Sequence, residues 1–307
     1  MCINVQHPAQ SNTLPGTVAI EYVFPNTSDI LQRGGLDERR ALAEAAGCSY
    51  VEVPADLIKN GSEVAATGQE LCTFLSKESI AKLYKQANPS TEKIPYILHT
   101  EPSLSRTGGF GIKTQAQIKW YDPVWVDGFL RMVLDISDFF KIPAAKIEIH
   151  PGDRRNSFGD IARSVQKIQS GYEDAFNTIP EILLENRTGQ FISEGTGISQ
   201  FWHYILKNNP ELTANFGIVL DIQQLFTVAR QNFLPSFYQI PPECLKGFHI
   251  HRLHKPPKAD DGVPWKEVFR KIAGLHQNII INPEIHHNNK VPEVIRFCNE
   301  MVDQSKL

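Results

Sequence analysis

Residues 247–257 read GFHIHRLHKPP. The Phe-His-Ile-His alternation over 248–251 has the period of a β-strand, so His249 and His251 share one face. Two imidazoles side by side at a strand's end suit a metal ion. The fold must then bring the remaining ligands to the same place, and the flanking sequence shows how.

Seven more runs resemble this one: TVAIEYVF from Thr17, YVEVP from Tyr50, PYILHTE from Pro95, KIEIHPGD from Lys146, EILLENR from Glu181, FGIVLDI from Phe216 and NIIINPE from Asn278. Each is β-branched or aromatic and bounded by turn residues. Helical segments lie between them. Asp37 reads as an N-cap and Gly47 as a C-cap around ERRALAEAA. Asp122-Pro123 places a cap and an N1 proline before VWVDGFLRMVLDISDFF. Eight strands alternating with helices, and ending on a helix, predict an α/β chain: one (β/α)8 TIM barrel over residues 1–307, with its active site at the C-terminal ends of the strands. The competing doubly wound sheet would carry GxGxxG after its first strand, and this chain does not. No linker rich in Gly or Ser and no internal repeat divides the chain. The longest connections run from Pro54 to Ser76 and from Glu101 to Asp122. The second contains RTGGFG (106–111), which lacks the GK[ST] ending of a phosphate loop and reads as a mobile lid.

Composition narrows the function. The chain is 41% apolar and 21% charged, and no run approaches a membrane span. The N-terminus has neither the basic start nor the apolar stretch of a signal peptide. Five scattered cysteines, none in a CxxC pair, predict reduced thiols and a cytoplasmic protein. A net charge of −3 gives no general basic bias toward nucleic acid.

On a barrel, the strand tips carry the chemistry. Strand three ends in His99 and Glu101, strand four in His150, and strand five in Glu185-Asn186. Strand six ends in Asp221, strand seven in His249 and His251, and strand eight in Glu284. Burying carboxylates among imidazoles is costly unless a cation compensates. Oxygen and nitrogen donors without thiolates suit Zn²⁺, Mn²⁺, Mg²⁺ or Co²⁺. Glu21 and Glu52 are expected to make core hydrogen bonds. Trp120, Trp125 and Trp202 are expected to pack, and His286-His287-Asn288-Asn289 to form a polar loop.

These tips resemble the xylose isomerase-like barrel superfamily, which includes endonuclease IV, UV-damage endonuclease and many sugar isomerases and epimerases. HPGD at His150 is similar to the HPG of the endonuclease IV branch, LLENRTGQ from Leu183 to its ENTAGQ, and LDIQQLF from Leu220 to its DTCHLF. FHIHRLH resembles its HLND segment, and INPE its strand-eight glutamate motif. The resemblance implies a divalent metal held by Glu185, Asp221, Glu284 and either His249 or His251, with His99 and His150 matching further ligands of the nucleases. It also implies that Glu185 and Glu284 act as proton donor and acceptor. Arg252, His254, Arg154 and Asn186 are the candidates for binding substrate hydroxyls or phosphate. Gln224 stands where the nucleases carry a histidine, and Asp260-Asp261-Gly262 lacks the histidine of their Asp-x-His pair. The first expectation is therefore an isomerase, epimerase or lyase acting on a small sugar or sugar phosphate, with a homo-oligomer as the expected assembly. An endonuclease IV-like phosphodiesterase acting on nucleic acid is second, and a degenerate metabolite-binding barrel third.

Overall fold

Eight parallel strands close on themselves: β1 Ile20–Phe24, β2 Tyr50–Pro54, β3 Tyr96–His99, β4 Lys146–Ile149, β5 Glu181–Glu185, β6 Phe216–Asp221, β7 Leu245–His249 and β8 Ile279–Asn282. The ring shuts because β1 pairs on one side with β2, Val23 opposite Tyr50, and on the other with β8, Ile20 opposite Ile279. This computed structural model describes residues 18–27, 35–55, 58–59, 72–88, 94–100 and 118–305. The RTGGFG segment and Glu101 lie outside the described residues. The fold is the expected (β/α)8 barrel.

The helices of the described residues are α1 Leu36–Ala46, α2 Lys77–Leu83, α3 Pro123–Phe140, α4 Phe158–Phe176, α5 Gly195–Asn208, α6 Ile222–Ala229, α7 Phe233–Tyr238, α8 Trp265–Ala273 and α9 Val291–Ser305. Asp122 caps α3 as predicted, its carboxylate accepting from the N–H groups of Val124 and Trp125. Gly47 ends α1 at φ 70°, a conformation that costs glycine little. Asp37 is not the N-cap of α1. Gly35 is, because the helix starts early enough to bury Leu36, and Asp37 falls in the first turn, where its charge suits the helix dipole. Among the described residues no helix is long and apolar enough to cross a membrane.

Two apolar layers hold the barrel. Between strands and helices lies the main core, which includes Trp265, Phe129, Phe201 and Phe269. Burying each such ring contributes about 1.5–3 kcal/mol. A smaller cluster of Val23, Ile97, Leu183, Val219 and Ile280 plugs the barrel's inside. Gly247 belongs to this layer, since a Cβ there would run into Ile280.

The plug fixes the level of everything above it. Strand side chains repeat every two residues, so Ile97 sets His99, Leu183 sets Glu185, Val219 sets Asp221 and Gly247 sets His249 one pleat nearer the barrel mouth. The register agrees, with Asp221 opposite His249 and His249 opposite Asn282.

Strand β7 starts two residues earlier than its sequence suggests and ends at His249. His251 therefore lies just past the strand. It remains buried.

Candidate metal centre

His99 at the end of β3 is braced from behind. Its Nδ1 lies 2.6 Å from Glu52 Oε1, and Glu52 Oε2 accepts from Asn282 Nδ2 at 2.9 Å and from the Asn26 N–H at 3.0 Å. Glu52 thus makes the expected core hydrogen bond, and the bond turns His99 Nε2 toward the barrel's interior. That Nε2 lies 3.2 Å from His150 Nε2 and 3.2 Å from Glu185 Oε2. His150 follows β4, where Gly152 turns the chain at φ 73° and donates its N–H to Gln190 Oε1 at 2.7 Å. Pro151-Gly152 is therefore the bend that leaves His150 facing inward.

A second group of donors adjoins the first. His249 Nδ1 lies 3.2 Å from Glu284 Oε2 and 3.8 Å from Glu185 Oε2. Asp221 caps α6, its Oδ1 accepting from the Gln224 N–H at 2.9 Å, and its Oδ2 lies 3.5 Å from His251 Nε2. His251 Nε2 lies 3.1 Å from Glu284 Oε2, and His254 Nδ1 lies 3.8 Å from Glu284 Oε1. All seven residues expected as ligands, His99, His150, Glu185, Asp221, His249, His251 and Glu284, meet in one buried cluster.

The four expected substrate residues divide. His254 reaches the cluster and stacks on His251 with ring centroids 4.7 Å apart. Arg252 turns aside: it donates to Gln223 Oε1 at 2.6 Å and to the Asp261 carbonyl at 3.3 Å, over the Phe226 ring. Asn186 is a brace, accepting from the Asp221 N–H at 2.8 Å and donating to the Asp221 carbonyl at 3.2 Å. Arg154 is exposed, and its neighbour Arg155 pairs with Asp153.

Glu148 is the residue that sequence reading passed over. It is 2% exposed, and its Oε1 lies 2.9 Å from His249 Nε2 and 3.4 Å from His99 Nε2. The signal was present, because Glu148 and His150 stand two apart along the extended run KIEIH and so face the same way.

Burial pushes the Glu185 carboxyl up to about 8, with the Glu148 charge adding to the effect against His249 and His99. Burial acts likewise on Glu148, but the neighbouring His249 and His99 outweigh it and bring its carboxyl down to about 2. Burial opposes charge on His251 too, yet Asp221 and Glu284 prevail and raise it to about 10.

The donor set fits a divalent cation. Both Glu185 oxygens, Glu148 Oε1, His150 Nδ1 and His249 Nε2 are buried without an aligned hydrogen-bond partner, although several lie within 4 Å of one another. Close approach without alignment is how ligands converging on a common centre are arranged, and unpaired buried polar atoms are otherwise costly. Four overlapping triads bring ligand atoms within 4.8 Å of one another: His99-His150-Glu185, Glu148-Glu185-His249, Asp221-His249-Glu284 and His251-His254-Glu284. Imidazole and carboxylate donors match Zn²⁺, Mn²⁺ or Co²⁺.

Solved structures share this architecture. A xylose isomerase domain protein from Alicyclobacillus acidocaldarius subsp. acidocaldarius superposes with TM-score 0.54 at 15% identity, covering 94% of this chain and 100% of that one. The chain has the xylose isomerase-like barrel fold. An AP endonuclease, family 2, from Brucella melitensis gives TM-score 0.51 at 11% identity over 92% of this chain and 98% of that one. A D-allulose 3-epimerase from Methylomonas sp., in complex with D-allulose, gives 0.50 at 14% over 93% and 99%. No protein-family profile and no curated protein sequence matches the chain. Likeness at these identities shows the fold, and the chemistry has to be argued from the site.

Proposed function

We propose that this xylose isomerase-like barrel is a divalent-metal-dependent isomerase or epimerase, or a lyase, acting on a small sugar or sugar phosphate. One observation carries the reading: Glu185 and Glu284, from β5 and the end of β8, approach the same nitrogen of His249 with Asp221 beside them. Glu185, Asp221, His249 and Glu284 would hold the ion, with His99 and His150 adjoining. A metal bound there supplies Lewis-acid polarisation of substrate oxygens.

The chain's own groups would move the proton. Glu284 has the more accessible carboxylate, 14% exposed against 0% for Glu185. It would take the proton from the substrate carbon, and Glu185 would return one from the buried side. Beside His254 lies a cavity of about 490 Å³, lined by Arg252, Lys255, Lys258 and Lys290 with Asp261 and Glu293. That volume suits a sugar-sized compound, and the excess of cations suits a phosphate or carboxylate on it.

Metal content by mass spectrometry, on untagged protein purified without added metal, tests the first half. Exchange of a substrate carbon-bound hydrogen in deuterated water, screened over sugars and sugar phosphates, tests the second. Bound metal with exchange that fails in Glu185→Gln and Glu284→Gln supports the reading. Metal-free protein that takes up neither Mn²⁺ nor Zn²⁺ sinks it and leaves the metabolite-binding barrel.

The convergence of His99 and His150 on Glu185 favours a second reading, a nuclease of the endonuclease IV type. Against it, Gln224 is engaged by the Thr188 N–H and Asp261 by its own turn. Nicking of abasic DNA by the metal-loaded protein would reverse the order.

A further inference from the structure

His251 reaches the candidate ligand set through sequence, but its hydrogen bonds give it another part. The backbone N–H of His254 donates to His251 Nδ1 at 3.0 Å. A backbone N–H can only donate, so Nδ1 presents its lone pair, and the proton of the neutral ring sits on Nε2. That Nε2–H faces Glu284 Oε2 at 3.1 Å and Asp221 Oδ2 at 3.5 Å. A bond from Nε2 to a metal would remove this proton and leave an imidazolate.

His249 is arranged the other way round. Its Nε2 faces Glu148 Oε1 at 2.9 Å, while Nδ1 faces Glu284 and Glu185. Both of its nitrogens meet carboxylates of the candidate site, and among the described residues neither is held by a backbone N–H, so His249 can turn a lone pair to a metal while a carboxylate takes its other nitrogen as second partner.

We propose that His251 is a positioning residue and His249 the ligand: the His251 Nε2–H, forked between Glu284 and Asp221, holds those two carboxylates in their ligating orientation. The inference rests on the metal reading above and names its atoms.

The turn after β7 supports it independently. Arg252 and Lys255 pair with each other across a tight turn, the Arg252 N–H donating to the Lys255 carbonyl at 2.9 Å and the Lys255 N–H to the Arg252 carbonyl at 3.1 Å. Its two central residues, Leu253 and His254, take φ 51° and 55°. Neither is glycine or asparagine, and L side chains enter this region at a cost. That conformation sets the His254 N–H on Nδ1 and lays the two rings 10° from parallel. A second proton could sit only on Nδ1, where the fixed His254 N–H stands against it.

The test loads the full chain, labelled with ¹⁵N-histidine, with ¹¹³Cd²⁺ and reads cadmium–nitrogen couplings by NMR. Coupling to His249, with His251 uncoupled and protonated at Nε2, is expected. Coupling to His251 overturns the proposal while leaving the metal reading intact. Failure of the wild type to bind cadmium, zinc or manganese removes the metal reading and this proposal with it. Variants give a second readout. His251→Gln keeps an N–H at similar reach and should retain the wild-type number of ions. His251→Ala should lose about 10- to 100-fold in affinity. If His251→Gln loses ions as His249→Gln does, His251 is a ligand and the proposal fails.

Discussion

Glu148 on β4 and His249 on β7 meet inside the barrel, Oε1 to Nε2, at 2.9 Å. The two strands are not neighbours, so the contact spans the lumen just above the apolar plug. Glu52 makes the equivalent contact to His99, at 2.6 Å to Nδ1. Each pairing turns the other ring nitrogen toward Glu185. Glu148→Ala removes the partner of a buried imidazole and should weaken zinc binding by about 10- to 100-fold. Glu148→Gln keeps an oxygen at that reach and should lose less. Isothermal titration of both variants ranks them, and equal losses would mean that Glu148 is itself a ligand.

Glu185 is fully buried and its carboxyl is pushed up to about 8, so its charge is costly without a cation. Glu185→Gln keeps the volume and removes that charge. In chelator the variant should melt at or above the wild-type temperature. Excess zinc should raise the wild-type melting temperature, since a ligand at 100 times its Kd adds about 2.7 kcal/mol, and should leave the variant unmoved. A zinc-induced rise of equal size in both would remove Glu185 from the ligand set.

The barrel and six of its strand tips were legible because both rest on short-range rules: period-two alternation, turn residues and helix caps. Glu148 was not read because it stands one pleat below the tip, in register with the plug residue Leu183 of β5, where a carboxylate is unexpected. The separate parts of His249 and His251 were illegible for another reason. They depend on a turn whose left-handed residues, Leu253 and His254, carry no glycine or asparagine to announce it. Asn186 looked like a substrate group because it adjoins Glu185, yet it bonds the backbone of β6, a partner 35 residues away.

That bond gives a third prediction. Asn186 satisfies both the N–H and the carbonyl of Asp221 inside the barrel. Asn186→Leu removes the side-chain partner of the buried Asp221 N–H and one partner of its carbonyl, at a cost of about 1–3 kcal/mol. The urea midpoint should fall, and zinc affinity with it, because Asp221 loses its anchor. Wild-type affinity in a destabilised Asn186→Leu would show that Asp221 is held by its α6 cap alone.

Lys271 on α8 tests the electrostatics away from the site. Its Nζ donates to the carbonyls of Phe237 at 2.8 Å and Ile240 at 2.7 Å, where burial brings its pKa from 10.5 down to about 8. The native state therefore sheds this proton near pH 8, and the unfolded chain keeps it until about 10.5. Between those values the unfolded state binds more protons, so this group makes stability rise with pH. The buried thiols of Cys48, Cys244 and Cys298 act oppositely, since burial raises all three and only the unfolded chain ionises them near pH 9. Comparison with Lys271→Met cancels that opposing contribution. Urea midpoints measured from pH 7.5 to 10.5 should show wild type gaining on the variant across the interval. Parallel curves would mean that the ammonium stays charged in the fold, held by its two carbonyls and the Phe237 ring 4.7 Å away.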